Sequence, residues 1–194
     1  MFASLLPSLR TASTGLRLLL IMTVLLGVLY PAAILGVGAL APARAAGSPV
    51  LVDGHPVGSS LIGQEFRGAE WFHGRPSAAD YDALASGPSN LAARSPELAR
   101  LMAERRAAVA AENGVDPTRV PADAVTASAS GLDPDISPAY ARIQVGRVAH
   151  ERGLPRAAVQ RLVEDSVQAP ALGFLGTPRI NVLTLNISLD ALQH

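Results

Sequence analysis

An uncharged and almost entirely apolar stretch, Leu18 to Leu40, restricts the fold of this chain more than any other feature of the sequence. Its 23 residues would extend roughly 34 Å as an α-helix, which is enough for the ~30 Å hydrocarbon core of a bilayer. The alternative is a cleaved signal peptide, with Arg10 and Arg17 as its basic start and Ala43-Arg44-Ala45 as a small-residue cleavage site. Because the apolar part of a signal peptide usually covers only about 7 to 15 residues, the length favours a retained transmembrane helix.

The arginines on either side of this stretch predict its orientation. Arg10 and Arg17 precede it and only Arg44 follows closely, and positively charged flanks tend to stay in the cytoplasm. We therefore expect a single-pass membrane protein with its N-terminus inside the cytoplasm. Its three parts would be a short cytoplasmic N-terminus (1–15), a transmembrane helix (16–40) and a soluble domain outside the cytoplasm (41–194).

Small residues and a proline line one side of the predicted membrane helix. Thr23, Gly27, Pro31 and Gly38 fall along one face at helical spacing, and such residues let another transmembrane helix approach closely. Pro31 also removes a backbone hydrogen bond and is expected to kink the helix. Glycine and proline are in any case commoner in membrane helices than in soluble ones. Packing against a partner helix and the usual composition of membrane helices are therefore two open explanations for these residues.

The segment after the span is predicted to contain strands at its two ends. Val50-Leu51-Val52 followed by Asp53-Gly54 indicates a strand that enters a tight turn. Near the C-terminus, apolar and polar residues alternate, which predicts a half-buried strand. The apolar positions of that alternation are Leu183, Leu185, Ile187 and Leu189.

Three helices are predicted between these strands. Ser95-Pro96-Glu97 supplies a hydroxyl N-cap, a proline at the first helical position and an acid in the first turn, and Gly114 suits the C-terminal stop. Ser137-Pro138 repeats this start for a helix that runs to about Arg152, and a third helix follows from Pro155 to about Ser166. The expected fold class is α/β, with one N-terminal transmembrane helix followed by a single small mixed α/β extracytoplasmic domain.

The composition excludes several mechanisms. All 16 cationic residues are arginine and the chain has neither lysine nor cysteine, so it cannot supply a phosphate-binding P-loop lysine, a Schiff base or a thiol nucleophile. The absence of cysteine also excludes a disulfide framework and zinc–thiolate sites. The formal net charge is +0 at pH 7, which argues against binding nucleic acid through a basic surface.

One segment nevertheless resembles a DNA-reading motif. Residues 145–166, VGRVAHERGLPRAAVQRLVEDS, place an alanine, a glycine and apolar residues as a helix-turn-helix does. A plain αα-hairpin needs the same small and apolar positions, and the predicted location outside the cytoplasm favours that interpretation. The basic side chains at issue are Arg147, Arg152, Arg156 and Arg161.

No residue pattern predicts an active site or a metal centre. The histidines are isolated, without the spacing of metal ligands, and no G-x-S-x-G motif marks a serine nucleophile. Asp133 and Asp135 lie in a proline-rich loop, where aspartate commonly bonds nearby backbone N–H groups. The chain is therefore predicted to be non-catalytic, with no metal and no covalently bound cofactor.

Five ordered segments resemble the KdpC family, the C subunit of the bacterial high-affinity, ATP-driven potassium uptake complex. The resemblance covers nearly the whole chain, including the apolar N-terminal stretch, and implies an accessory role without ATP hydrolysis. It also implies three partners on separate chains: an ATP-hydrolysing P-type subunit, a potassium-conducting channel-like subunit and a small single-span subunit. The segments are SSLIGQEF (59–66), WFHGRPSAADY (71–81), SGPSNL (86–91), VTASASGLDPDISPAYARIQVGRVA (125–149) and LGFLGTPRINVLTLNISLDAL (172–192).

The resemblance further implies that the subunit acts as a catalytic chaperone, which raises the affinity of the ATP-hydrolysing subunit for nucleotide. The family's SGGSN stretch and a helix glutamine have been linked to nucleotide contact. The matching positions in this sequence, which could contact either nucleotide or a partner, are Ser86, Gly87, Ser89, Asn90 and Gln144.

Three departures from the family pattern argue against direct ATP binding. Pro88 stands where the family usually has glycine, and proline lacks an N–H that could bind a phosphate. Ala129 and Asp135 replace the family's usual glycine and histidine, and a carboxylate at position 135 disfavours an anion. A domain outside the cytoplasm also cannot reach a cytoplasmic nucleotide pocket, so we expect the effect on ATP to be indirect.

Two further questions stay open from the sequence. The loop from Thr126 to Pro138 is either a rigid rim that docks on a partner or only a support for its own domain. The chain itself could instead be a stand-alone membrane-anchored binding or sensor domain, which would need a ligand pocket, or a membrane-tethered transcription factor, which would need the opposite orientation.

Overall fold

The structure, a computed structural model, describes residues 5–193, with side chains from Arg10 onward. The chain divides after Ser48 into an N-terminal helical unit and a second unit that begins at Pro49. Helices and strands are numbered here in chain order. In the N-terminal unit they are α1 (Leu5–Val24), a π-helical turn (Leu25–Leu29), α2 (Tyr30–Gly38) and the short α3 (Pro42–Ala45).

The helical stretch Arg10–Gly38 is long and apolar enough to cross a membrane, and it is the one such helix in the described part of the chain. None of its side chains is buried within the chain. By length and composition, the N-terminal unit therefore has the properties of a membrane anchor.

The π-helical turn ends at Leu29, two residues before Pro31, the proline that was expected to kink the helix. The N–H of Tyr30 donates to the carbonyl of Leu25, five residues back, and Pro31 has no N–H for the carbonyl of Gly27. A widened turn at this point accommodates the missing N–H of Pro31 without ending the helix. Of the other predicted packing residues, Thr23 donates its hydroxyl to the Leu19 carbonyl at 2.8 Å, and a Cβ on Gly38 would lie 3.5 Å from that of Ala45.

Up to Gln193, the second unit combines four α-helices and two 3-10 turns (Pro117–Arg119 and Ala122–Ala124) with four short strands, which confirms the predicted mixed α/β class. The strands form two antiparallel pairs, β1 with β2 and β3 with β4, while residues 60–94 contain neither helix nor strand. The bounds are β1 Pro49–Val52, β2 His55–Ser59, α4 Pro96–Asn113, β3 Asp135–Ile136, α5 Pro138–Glu151, α6 Arg156–Asp165, β4 Ile180–Asn181 and α7 Val182–Asp190.

The predicted helix starts are confirmed, and so is the predicted strand that enters a tight turn at Asp53-Gly54. The hydroxyl of Ser95 accepts a hydrogen bond from the N–H of Leu98 at 3.4 Å, and that of Ser137 accepts from Tyr140 at 3.0 Å. Gly114 ends α4 in the left-handed conformation, with φ of 61°. These caps supply partners for backbone groups that a helix end leaves unbonded.

The predicted C-terminal strand is wrong, because residues 182–190 form α7. Its apolar positions satisfy helical spacing as well as alternation: Val182, Leu185 and Leu189 lie three and four residues apart and are all buried. Asn181 caps the helix by accepting the N–H of Thr184 at 3.1 Å. An N-cap residue directly before an apolar run indicates the start of a helix. The strand prediction rested on the alternation of apolar and polar residues and did not take this cap into account.

One hydrophobic core lies among the helices of the second unit. Helix α5 packs against both α4 and α6, and α6 also packs against α7. Phe72, from the irregular region, is completely buried in the same core. The core therefore joins residues from all four helices to a segment without regular structure.

Candidate functional site

Two buried side-chain amides hold consecutive residues of the extended segment Trp71–Gly74. The N–H of Phe72 donates to Asn186 Oδ1 and its carbonyl accepts from Asn186 Nδ2, both at 2.9 Å. His73 repeats the arrangement with Gln144, at 2.8 Å to Oε1 and 3.1 Å from Nε2. Successive residues of an extended chain point their backbone groups to opposite sides, so α7 holds one side through Asn186 and α5 holds the other through Gln144.

This arrangement uses the polar atoms of Gln144 inside the domain. Its side chain is 0% exposed, and Oε1 also accepts a hydrogen bond from Arg147 Nη2 at 2.7 Å. The residue therefore fixes His73 on α5. Its predicted contact with nucleotide stays a prediction.

Arg147 connects α5 to helix α4 and to the segment 69–71. Its Nη1 donates to the carbonyls of Ala69 at 2.5 Å and Trp71 at 2.9 Å, and its Nε donates to Asn113 Oδ1 at 3.0 Å. The side chain is 5% exposed, and the carboxylate of Glu112 lies 3.8 Å from Nε. Burial lowers the pKa of Arg147 more than the charge of Glu112 raises it. A buried guanidinium with this many partners holds the 69–71 segment in place.

Arg152 is held in a similar way at the end of α5. Its guanidinium carbon lies 4.0 Å from the ring centre of Trp71, a cation–π geometry, and its Nη1 donates to Asp190 Oδ1 at 2.8 Å. Arg147 and Arg152 are thus turned into the domain, although both belong to the segment that resembles a DNA-reading motif. This supports the interpretation of α5 and α6 as a plain αα-hairpin.

The stretch that resembles the family's SGGSN motif forms an exposed loop. The hydroxyl of Ser86 and the N–H of Gly87 both donate to the carbonyl of Ser130, at 2.8 and 2.9 Å. Ser89 and Asn90 are exposed, and Asn90 has a positive φ of 56°. Among the described residues, no hydrogen bond joins this loop to Gln144, so the structure places the predicted nucleotide residues in two separate networks.

The loop from Thr126 to Pro138 is firmly held by its own domain. A Cβ on Gly63 would come within 2.5 Å of the carbonyl oxygen of Asp133, so this close approach requires glycine. Four hydrogen bonds join the loop to Gly63 and to the segment 75–77: Ser77 Oγ to Gly131 O (2.7 Å), Ser128 N to Pro76 O (3.0 Å), Gly63 N to Leu132 O (2.7 Å) and Arg75 Nη1 to Asp133 Oδ2 (2.7 Å). The loop is therefore a preorganised part of the surface.

Two open cavities flank the extended segment. One, of about 340 Å³, mixes charges of both signs and is lined by His73, Arg75, Arg105, Glu112, Tyr81 and Tyr140 among others. Burial raises the pKa of Tyr81 to about 12, and its hydroxyl donates to the Arg75 carbonyl. The other cavity, of about 610 Å³, is mainly apolar, with Phe66, Trp71 and Leu183 in its wall.

Among residues 5–193, no group of three or more His, Asp or Glu side chains is placed to hold a metal ion.

Asp135 predicts a measurable dependence of stability on pH. Its carboxylate pairs with Arg179 at 2.9 Å, yet burial raises its pKa more than Arg179 lowers it. A carboxyl whose pKa is higher in the folded state contributes stability below its unfolded pKa and loses it as pH rises through the folded pKa. We expect wild type to gain stability relative to Asp135→Asn as pH falls from 7 to 4, in urea unfolding followed by the fluorescence of Trp71.

Asp116→Asn is the matched control with the opposite sign. Hydrogen bonds from Thr118 lower the pKa of Asp116 from its ordinary value of 3.8, so wild type should lose stability relative to this variant as pH falls further, from that value toward the lower folded-state pKa. Parallel pH profiles for wild type and Asp135→Asn would contradict the expected role of Asp135.

Comparison with known proteins matches this chain over both of its units. A family model described as "KdpC: K+-transporting ATPase, c chain" matches residues 12–191. The chain is 57% identical over 183 residues to the "Potassium-transporting ATPase KdpC subunit" of Kineococcus radiotolerans, with 93% of each chain covered. It is 54% identical over 187 residues to the protein of the same name from Nitratidesulfovibrio vulgaris, covering 92% of this chain and 95% of the relative. The match begins within α1 and ends beyond α7, which confirms the resemblance found in the sequence, and the chain therefore belongs to the KdpC family of potassium-transporting ATPase subunits.

Proposed function

We propose that this chain is a non-catalytic accessory subunit that stabilises the potassium-transporting ATPase and raises the ATP affinity of its ATP-hydrolysing subunit. Its partners are that P-type subunit, the potassium-conducting channel-like subunit and the small single-span subunit. The apolar helix anchors it in the inner membrane with the N-terminus in the cytoplasm, and the α/β domain lies outside.

The effect on ATP is indirect in this proposal. The observation that carries it is the complete burial of Gln144, whose amide bonds the backbone of His73 and the guanidinium of Arg147. An amide used in this way positions a segment and leaves little to offer a nucleotide. The exposed 86–90 loop carries Pro88 where a phosphate would need an N–H.

Contacts that differ between two conformations of the partner are sufficient for such an effect. A subunit that contacts the ATP-binding conformation better than the other shifts the equilibrium between them. A tenfold gain in ATP affinity needs a difference of only about 1.4 kcal/mol between the two sets of contacts. A rigid domain can supply that difference without touching ATP.

The test compares the purified complex with and without this subunit in lipid nanodiscs. We expect omission to raise the KM for ATP severalfold, and an azido-ATP analogue to label the ATP-hydrolysing subunit but not this chain. Saturable labelling of this chain that ATP competes away would contradict the indirect mechanism. An unchanged KM would contradict the chaperone role. A C-terminal reporter that is active only outside the cytoplasm provides the control for orientation.

A further inference from the structure

A short hairpin between α6 and β4 exposes three apolar side chains at its end. Leu172 is 82% exposed, Phe174 74% and Leu175 51%. We call residues 171–175 the apolar tip. Single exposed apolar residues are ordinary, but adjacent ones on one projection are typical of a contact surface.

The chain segment that carries the apolar tip has no charged side chain. Residues 166–178 contain no acidic or basic side chain. The nearest basic residue along the chain, Arg179, pairs with Asp135 at 2.9 Å. A surface that binds the tip must therefore offer apolar contact without charge.

Four of the five backbone N–H groups of the apolar tip are already hydrogen-bonded within the hairpin. Ala171 and Leu175 exchange both of their backbone bonds at 2.9 Å. The N–H groups of Gly173 and Phe174 donate to the carbonyls of Pro170 and Ala171, at 3.0 and 3.3 Å. Because burying an unbonded N–H is costly, these bonds lower the cost of burying the tip in an apolar pocket.

Leu172 occupies an unfavourable backbone position at the turn. Its φ is 54° and that of Gly173 is 80°, and the bond from Phe174 to Ala171 closes the turn around them. Turns with positive φ at both central residues favour asparagine, aspartate or glycine. A leucine there is strained and exposed at once, and such outliers are common where a segment has a function in binding.

We propose that the apolar tip docks into an uncharged, apolar pocket on the extramembrane surface of an integral-membrane subunit of the same ATPase. This inference rests on the proposed function. A protein pocket fits better than a lipid surface because segments that bind the membrane surface carry basic residues for anionic headgroups, which 166–178 lacks. A fixed turn also loses little conformational freedom when it enters a preformed pocket.

Photocrosslinking in the full-length chain tests this inference directly. Phe174→p-benzoylphenylalanine is expressed with the other subunits and irradiated in membranes. We expect a covalent adduct between this chain and one integral-membrane subunit. Leu84→p-benzoylphenylalanine is the matched control, since Leu84 is 98% exposed on a different loop, and we expect at least tenfold less adduct from it.

The outcomes separate this inference from the proposed function. Adducts with lipid only, equal adducts from positions 84 and 174, or no protein adduct in an intact complex would each overturn the docking of the tip alone. Failure of the unsubstituted chain to co-purify with any ATPase subunit would overturn the proposed function and this inference together. As a second measurement, Phe174→Ser should reduce recovery of the chain with the complex at least fivefold, while Leu84→Ser should not.

Discussion

Replacement of Gln144 by leucine is expected to destabilise the folded domain by about 3 kcal/mol, since each buried polar group left without a partner costs about 1–3 kcal/mol. Leucine is similar in size but cannot bond the N–H and carbonyl of His73 or the Nη2 of Arg147, which the buried amide contacts at 2.8, 3.1 and 2.7 Å. Urea unfolding of the full chain in detergent micelles, followed by the fluorescence of Trp71, measures the loss.

Gln160→Leu is the matched control for this substitution. Gln160 lies on α6, where its amide bonds the exposed carboxylate of Glu164 at 2.9 Å, so we expect a loss below about 1 kcal/mol. A stable Gln144→Leu protein that no longer raises the ATP affinity of the complex would contradict the structural role of Gln144 and favour direct nucleotide contact instead.

Arg147→Lys is expected to destabilise the domain by about 2–4 kcal/mol even though it keeps the positive charge. A single ammonium cannot reproduce the planar fork of donors that reaches Ala69, Trp71, Asn113 and Gln144. At least two buried acceptors would lose their partner, at about 1–3 kcal/mol each. The same unfolding measurement applies.

Arg142→Lys, on the same helix, is the control for this second substitution. Arg142 bonds both carboxylate oxygens of Glu164 at 2.7 Å, but its side chain is 47% exposed. Exposed ion pairs contribute about 0–1 kcal/mol, so we expect little change in the free energy of unfolding. If Arg147→Lys costs as little as Arg142→Lys, the positive charge that lysine keeps, and not the hydrogen bonds of the buried guanidinium, is what Arg147 supplies.

The elements with local signals could be predicted from the sequence. Ser95 and Ser137 precede proline at the helix starts, and the hydroxyl caps that this pattern predicts are present. The hairpin at Asp53-Gly54 likewise depends on residues next to each other in the chain. In these cases a few neighbouring residues determine the backbone conformation.

The contacts that build the site depend on residues far apart in the chain and could not be predicted in this way. Asn186 bonds Phe72 across 114 positions, and the strand prediction for residues 183–189 placed Asn186 among the outward polar residues. Gln144 was singled out by family resemblance, but its burial depends on how α5 packs. No local pattern distinguishes Arg147, which is buried, from its exposed neighbour Arg142.

The side-chain amides of Asn186 and Gln144 bond the backbone of Phe72 and His73 from two sides, as two neighbouring strands would in a sheet. Each connection is one short side chain bonded at both of its polar atoms, so a slide of α5 past α7 by much more than the tolerance of a hydrogen bond would break it. The two helices and the segment between them therefore move as a single stiff body. A force that displaces one face of this body therefore displaces the opposite face by nearly the same distance.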